Sequence, residues 1–212
     1  MTVSLISYTE NPEYIAGMAA ATCTRSNNYG SALLHAMDGG HESVLEHVSF
    51  TFRIEGVSRV LLAQLTRHRI ASYSVESQRY CDMTNFKFVL PPSVQENPGA
   101  MRAYIDHMEK TSELYQKLVE CGVPKEDARY VTPQAAMTTI VMTMNARELR
   151  HFFALRCCNR AQWEIRKLAD EMLSICQKKA PYIFGDAGPG CVRGQCPEER
   201  PCGHPRAGEK HP

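Results

Sequence analysis

The sequence predicts an α+β fold: a single domain with a mixed or antiparallel sheet and flanking long helices. Three observations predict it. Stretches that alternate apolar and polar residues, the mark of half-buried strands, are interspersed with longer stretches of helical spacing. The two kinds do not alternate regularly as βαβ units, which argues against a doubly wound parallel sheet. The chain of 212 residues is also long enough to bury a proper core as one domain.

Residues 2–8 (TVSLISY) predict a short strand. Asn11 followed by Pro12 predicts an N-cap and a first helical residue, opening a helix through about Thr24. Signals then weaken as far as Gly39-Gly40. From Val48 the pattern sharpens: Val48, Phe50, Phe52 and Ile54 alternate with Ser49, Thr51, Arg53 and Glu55, as in a strand with one buried face, and Gly56 ends it. Val57, Val60, Leu61 and Leu65 recur at helical spacing, so a helix delivers the chain into RHRIASYSVESQRY, residues 67–80. FKFVLPPS predicts a brief extended piece stopped by Pro91-Pro92. Asn97-Pro98 opens the longest helix, with Met101, Tyr104, Ile105, Met108, Tyr115, Leu118 and Val119 along one side and Gly122 at its end. Pro124 begins a short helix containing Arg129. Residues 136–144 (AMTTIVMTM), rich in β-branched side chains, predict a strand, and helices follow over about 146–158 and 161–180. From Gly185 the chain is rich in Gly and Pro and poor in apolar residues. The expected organisation is therefore a domain over 1–184 and a Gly/Pro/Cys-rich C-terminal tail over 185–212.

Charge narrows the function. With 24 Lys+Arg against 23 Asp+Glu the formal net charge is +1, which lacks the strongly positive field of a protein that grips nucleic acid through phosphates. Any anion site is local. The N-terminus has no signal-peptide pattern and no stretch approaches the roughly 18 consecutive apolar residues of a membrane span, so the expected location is cytoplasmic, with no membrane and no nucleic-acid partner. Nine cysteines without an export signal suit reduced or metal-bound thiols better than a disulfide framework.

The local site is the basic motif. Arg67, His68, Arg69 and Arg79 crowd around Ser72, Ser74 and Ser77 in a segment that also carries Ile70, Tyr73, Val75 and Tyr80. A helix ending in positive charge accounts for one arginine; several guanidinium groups held together need an anion between them. Gln64, Arg67 and His68 stand at i, i+3 and i+4, which would place them on one face of a last helical turn. An anion there would meet helix carbonyls, so side chains must bind it, guanidinium forks and serine hydroxyls above all.

Arg67-His68-Arg69, seven residues, Ser77 and then Arg79-Tyr80 resemble the signature of the flavin-dependent thymidylate synthases. Further segments fall in that family's order: GHESVLEH at 40–47, Gln64, EDARYVTP at 126–133, NARELRHFFALR at 145–156 and AQWEIR from 161. The resemblance covers roughly residues 1–184. It implies reductive methylation of dUMP to dTMP with methylenetetrahydrofolate as carbon donor, FAD as cofactor and NADPH as reductant. It also implies a non-Rossmann flavin fold, in keeping with the lack of a G-x-G-x-x-G, assembled as a homotetramer with shared active sites. By the same resemblance Gln64, Arg67, Ser77, Gln78, Arg79, Arg129 and Arg156 hold dUMP, and Arg156, at the uracil, is the catalytic residue. FAD falls to His41, Ser43, Arg67, His68, Arg69, Asn145, Arg147 and His151. Where many members carry an acidic or amide side chain two residues before the motif serine, this chain has Val75, with Glu76 one place later. That shift keeps the contact from being transferred.

On the helix after Asn145, Arg147 and His151 share a face at about 100° per residue, while Arg156 points nearly opposite to Arg147, as if one helix served two sites. His41 and His47 lie six apart and so miss the four-residue spacing of a helical zinc pair. Cys157-Cys158 reads as small apolar packing. No metal is assigned to the site. Cys191, Cys196, Cys202 and His204 stay open between a structural metal and a loose thiol-bearing extension, because C-x4-C-x5-C-x-H matches no common finger spacing. The competing reading is a phosphate-gripping nucleotide or nucleic-acid module with that segment as a zinc knuckle.

Overall fold

Phe50, Phe52 and Ile54 are fully buried on one side of strand β2 (Ser49–Ser58), as their alternation predicts. In this computed structural model, which describes residues 1–194 and 196–206, β2 is a central strand of a four-stranded antiparallel sheet in the order β1-β2-β4-β3. β1 is Thr2–Tyr8, β3 Ala71–Val75 and β4 Met137–Asn145. The helices are α1 (Pro12–Thr24), α2 (Tyr29–Asp38), α3 (Arg59–Leu65), α4 (Pro92–Gln95), α5 (Pro98–Glu120), α6 (Lys125–Ala128), α7 (Ala146–Arg156), α8 (Trp163–Lys179) and α9 (Pro181–Phe184). The fold class is α+β, as predicted. Among the described residues no helix is long and apolar enough to cross a membrane.

Several local expectations change. β2 does not end at Gly56 but continues to Ser58, since Gly56 takes φ 68°, a left-handed conformation open to glycine without strain. Asn11 precedes α1 but lies at φ 47° and makes no side-chain cap, whereas Asn97 does cap α5 by accepting the amide of Ala100. α3 stops at Leu65, and Thr66-Arg67 form a turn that leads through His68 and Arg69 into β3. Arg67 and His68 therefore do not lie on a helical turn with Gln64. Neither α2 nor β3 was expected.

The chain forms two compact units: residues 1–2, 54–65 and 74–140, and residues 3–53, 66–73 and 141 onward. The first has a core of Met83, Tyr115, Ala128 and Ala136, with Phe86 and Leu118 packed against it. The second is built around aromatic rings. Phe50 stacks on Phe52 and meets Phe184 edge-on at 5.5 Å, and Phe153 meets both Phe184 and Phe152. Thr51 and Thr143 join hydroxyls at 2.9 Å. In the segment expected as a tail, Asp186 and Arg206 make ion pairs with Arg150 and Asp170. Residues 195 and 207–212 of that expected tail lie outside the described residues.

Candidate active site

The second unit assembles a relay from three residues, two of them, Glu148 and His68, buried and the third, Arg156, half-buried. Asn145 caps α7 by accepting the Glu148 amide at 2.9 Å, which fixes the helix start and sets Glu148 one turn in. Glu148 is 8 % exposed and reaches Nδ1 of His68 at 3.0 Å. On the other side of the ring, Arg156 Nε donates to His68 Nε2 at 3.1 Å. An arginine N–H has only a donor to offer, so Nε2 accepts and the imidazole proton sits on Nδ1, donated to Glu148. Tyr73 Oη donates to the His68 carbonyl at 2.8 Å and holds the backbone, while Phe152 meets the ring edge-on at 5.0 Å.

Electrostatics agree with a neutral His68. Burial depresses its pKa most; the Glu148 hydrogen bond opposes this, the Arg156 and His151 charges reinforce it, and the net shift is downward. Burial likewise lowers Arg156, and burial with the Glu148 charge pushes the Tyr73 phenol up. His151 stands beside His68 with ring centroids 5.8 Å apart. His151 and Arg156 thus both reach one ring, although their helical positions differ. Arg156 is the last residue of α7, and its long side chain is not bound to a helical face. The ligand atoms of His68, Glu148 and His151 lie within 4.8 Å of one another, but both His68 nitrogens are engaged, so a cation would have to displace Arg156 or Glu148.

Around this relay the cations divide into paired and unpaired. Arg147 binds Glu46, and the mostly buried Arg150 binds Glu42 and Asp186, a structural clasp rather than a ligand site. Arg67 and Arg69 are exposed, and among the described residues their side chains make no ion pair or hydrogen bond. Two unneutralised guanidinium forks fit a phosphate-bearing ligand. His41 and Ser43 line a cavity of about 730 Å³ between α1, α2 and the turn over Glu42–His47.

The first unit carries the other predicted residues. Ser77 Oγ accepts the amide of Arg79, turning the chain after β3. Arg79 pairs with the Glu126 carboxylate at 2.9 Å, and Arg129 Nε donates to the Glu126 carbonyl at 3.0 Å, so one residue holds both arginines. Gln78 is 6 % exposed; its Oε1 takes a long bond from Thr132, and its Nε2 is buried without a partner. Gln64 on α3 reaches back to the Val60 carbonyl. Val75 is half-buried whereas Glu76 is exposed, and the Glu76 charge acts on Arg59.

Sequence reasoning missed Glu148, Glu126 and Arg59. Glu148 reads as an ordinary first-turn acid three residues after a cap. Arg59, lowered by burial and then by the Arg129 charge, keeps an Nη1 buried without a partner. Each of these two buried donors without an acceptor, Arg59 Nη1 and Gln78 Nε2, is costly in itself, and an anionic or carbonyl-bearing ligand would relieve it.

Comparison with known proteins agrees with the signature. A family model described as thymidylate synthase complementing protein matches residues 4–182. The flavin-dependent thymidylate synthase of Geobacter sulfurreducens is 49 % identical, over 93 % of this chain and 91 % of that protein. That of Pyrococcus furiosus is 43 % identical over 92 % and 89 %. The crystal structure of flavin-dependent thymidylate synthase ThyX from Helicobacter pylori, complexed with FAD and dUMP, superposes with a TM-score of 0.73 at 29 % identity, covering 89 % of this chain and all of that one.

Proposed function

The chain belongs to the flavin-dependent thymidylate synthase family, and on that premise we propose that it methylates dUMP reductively to dTMP, with FAD as cofactor. Methylenetetrahydrofolate gives the carbon and NADPH the reducing equivalents, in a cytoplasmic homotetramer whose subunits share active sites. When bound, the flavin supplies the redox chemistry of the methylation. The rest falls to this chain's own side chains.

The observation that carries the reading is the relay from Glu148 through His68 to Arg156. A guanidinium tied through Nε to a ring that is itself tied at its far nitrogen is oriented before any ligand arrives. An oriented cation at a uracil stabilises the negative charge that develops as N3 ionises or the ring becomes enolate-like, and it costs no reorganisation at that moment. Arg156 is accordingly the catalytic residue. Gln64, Arg67, Ser77, Gln78, Arg79 and Arg129 hold the nucleotide. For Gln78 the orphaned Nε2 supports this role, since it is a donor waiting for an acceptor.

For FAD the donor set fits. Arg67 and Arg69 are suited to the pyrophosphate because nothing in the described chain neutralises them, and Arg147 is shared with the exposed Glu46, a pair that a phosphate competes with easily. His41 and Ser43 line a cavity, and His68 and His151 offer ring edges. Asn145 has its carbonyl oxygen committed to the α7 cap, so its amide NH₂ is the group for cofactor.

The test is tritium release from 5-tritiated dUMP with folate donor and NADPH present. Release that requires added FAD is expected. A protein that binds no flavin, or that releases no tritium when fully supplied, would overturn the assignment.

A further inference from the structure

Beyond Pro189 no described residue is buried, so the described residues 190–194 and 196–206 have no apolar core of their own to hold them. Against that background three thiols are only partly exposed: Cys191, Cys196 and Cys202. With His204, and with Cys158 from the bend after α7, they line a single cavity of about 540 Å³. Two of the sulfurs already accept backbone amides. His204 N–H points to Cys202 Sγ at 3.4 Å and Arg206 N–H to Cys191 Sγ at 3.4 Å, and the Cys202 thiol, while it keeps its proton, donates it to the His204 carbonyl at 3.4 Å. A neutral thiol is a weak acceptor, whereas N–H donors aimed at sulfur are the surrounding shell that a metal-bound thiolate calls for. Gly203 makes the first of these possible: at φ 76° it folds the chain so that the amide two residues after Cys202 returns to its sulfur.

We propose that this segment is a zinc site, with Cys191, Cys196 and Cys202 as thiolate ligands and His204 as the fourth, neutral ligand, and that the ion ties these four residues together. Three sulfurs and one imidazole nitrogen are a tetrahedral set of the kind found in closed structural sites. On binding, each thiol gives its proton to solvent, and the three thiolates leave a net negative charge around the dication. Arg160, Arg193 and Arg206 line the same cavity, each already paired with a carboxylate, Glu198, Asp186 and Asp170 respectively. The ligand atoms do not yet meet: among the described residues only His68, Glu148 and His151 bring three such atoms within 4.8 Å. The ion would draw the loop closed by turns about Gly194 and Gly203, both at positive φ.

Full-length protein purified under reducing, anaerobic conditions should contain stoichiometric zinc, released by a mercurial thiol reagent and read with a chromogenic chelator. Cys196→Ser and Cys202→Ser should lose it, while Cys121→Ser, an exposed thiol in the other unit, should keep it. Cobalt exchanged into the wild-type protein should give tetrahedral d–d absorption in the red, beyond flavin absorption, and His204→Ala should shift those bands. That spectrum needs no folded variant. Wild-type protein that binds neither zinc nor cobalt, retention of zinc by both serine variants, or a disulfide among these cysteines in the freshly isolated protein would each overturn the proposal.

Discussion

Arg156 donates its Nε–H to Nε2 of His68 across 3.1 Å, and so fixes which nitrogen of that buried ring carries the proton. The two residues are 88 positions apart in the chain, and Glu148 closes the relay on the opposite nitrogen. A histidine held between a donor and a carboxylate has one favourable state: neutral, with its proton on Nδ1.

That state is directly observable. Nitrogen chemical shifts of the His68 ring at neutral pH should show a protonated Nδ1 and a bare Nε2. Arg156→Ala removes both the donor and a positive neighbour that depresses the His68 pKa, so the midpoint of the His68 titration should rise. An Nε2-protonated ring in the wild-type protein, or a midpoint that does not move, would show that the relay is not formed.

The same relay makes stability depend on pH. Because His68 titrates lower in the folded chain than its ordinary value of about 6.5, the unfolded chain binds a proton there first as pH falls. Its contribution is thus complete above about pH 6.5 and declines as pH drops toward the folded pKa, at no more than about 1.4 kcal/mol per pH unit. Urea unfolding at pH 7.5 and 5.5 should show a steeper loss for the wild type than for His68→Gln. Equal losses would remove His68 as the titrating group.

Arg79 should separate binding from stability. Its pair with Glu126 is about half exposed on both sides, at 52 % and 50 %, and such pairs contribute less than about 1 kcal/mol. Arg79→Ala should leave the unfolding midpoint nearly unchanged. If the guanidinium meets the nucleotide phosphate, dUMP affinity measured by calorimetry should fall about tenfold or more, the scale of a lost charged hydrogen bond. Unchanged affinity would assign Arg79 to Glu126 alone.

How far these features could be read in the sequence depended on whether their cause was local. β2 was legible because a two-residue period is a direct consequence of one buried face, and Phe50, Phe52 and Ile54 obey it. α5 was legible from Asn97 and Pro98, whose effect is confined to a single turn. α2 was not, since YGSALLHAMD is only ten residues long, carries no proline at its start to mark it and buries only Leu33 and Ala36. β3 is five residues long and half-buried, too short for its period to stand out inside a motif read for its charges. The site divides in the same way. The arginines and His68 announced themselves by type and spacing, but Glu148 became visible only when folding set it against His68, and Glu126 only when it was found between Arg79 and Arg129.

Arg150 offers the sharpest test of what is structure rather than site. Its side chain is 10 % exposed, with Nε on Glu42, and Nη1 and Nη2 on the two oxygens of Asp186. Burial alone would raise the Asp186 carboxyl, but Arg150 and then Arg193 overrule it and hold that group below the ordinary carboxylate range. A depressed carboxylate stabilises the fold above about pH 4 and loses that contribution as pH falls through its folded pKa. Arg150→Met keeps much of the packing volume and removes the charge, so it should cost about 2 kcal/mol at pH 7. At pH 3, closer to the depressed folded pKa of Asp186, the gap between wild type and variant should narrow. Urea midpoints at the two pH values measure it. A gap that persists undiminished in acid would mean that Arg150 stabilises the fold through packing and the Ile183 carbonyl, not through its carboxylates.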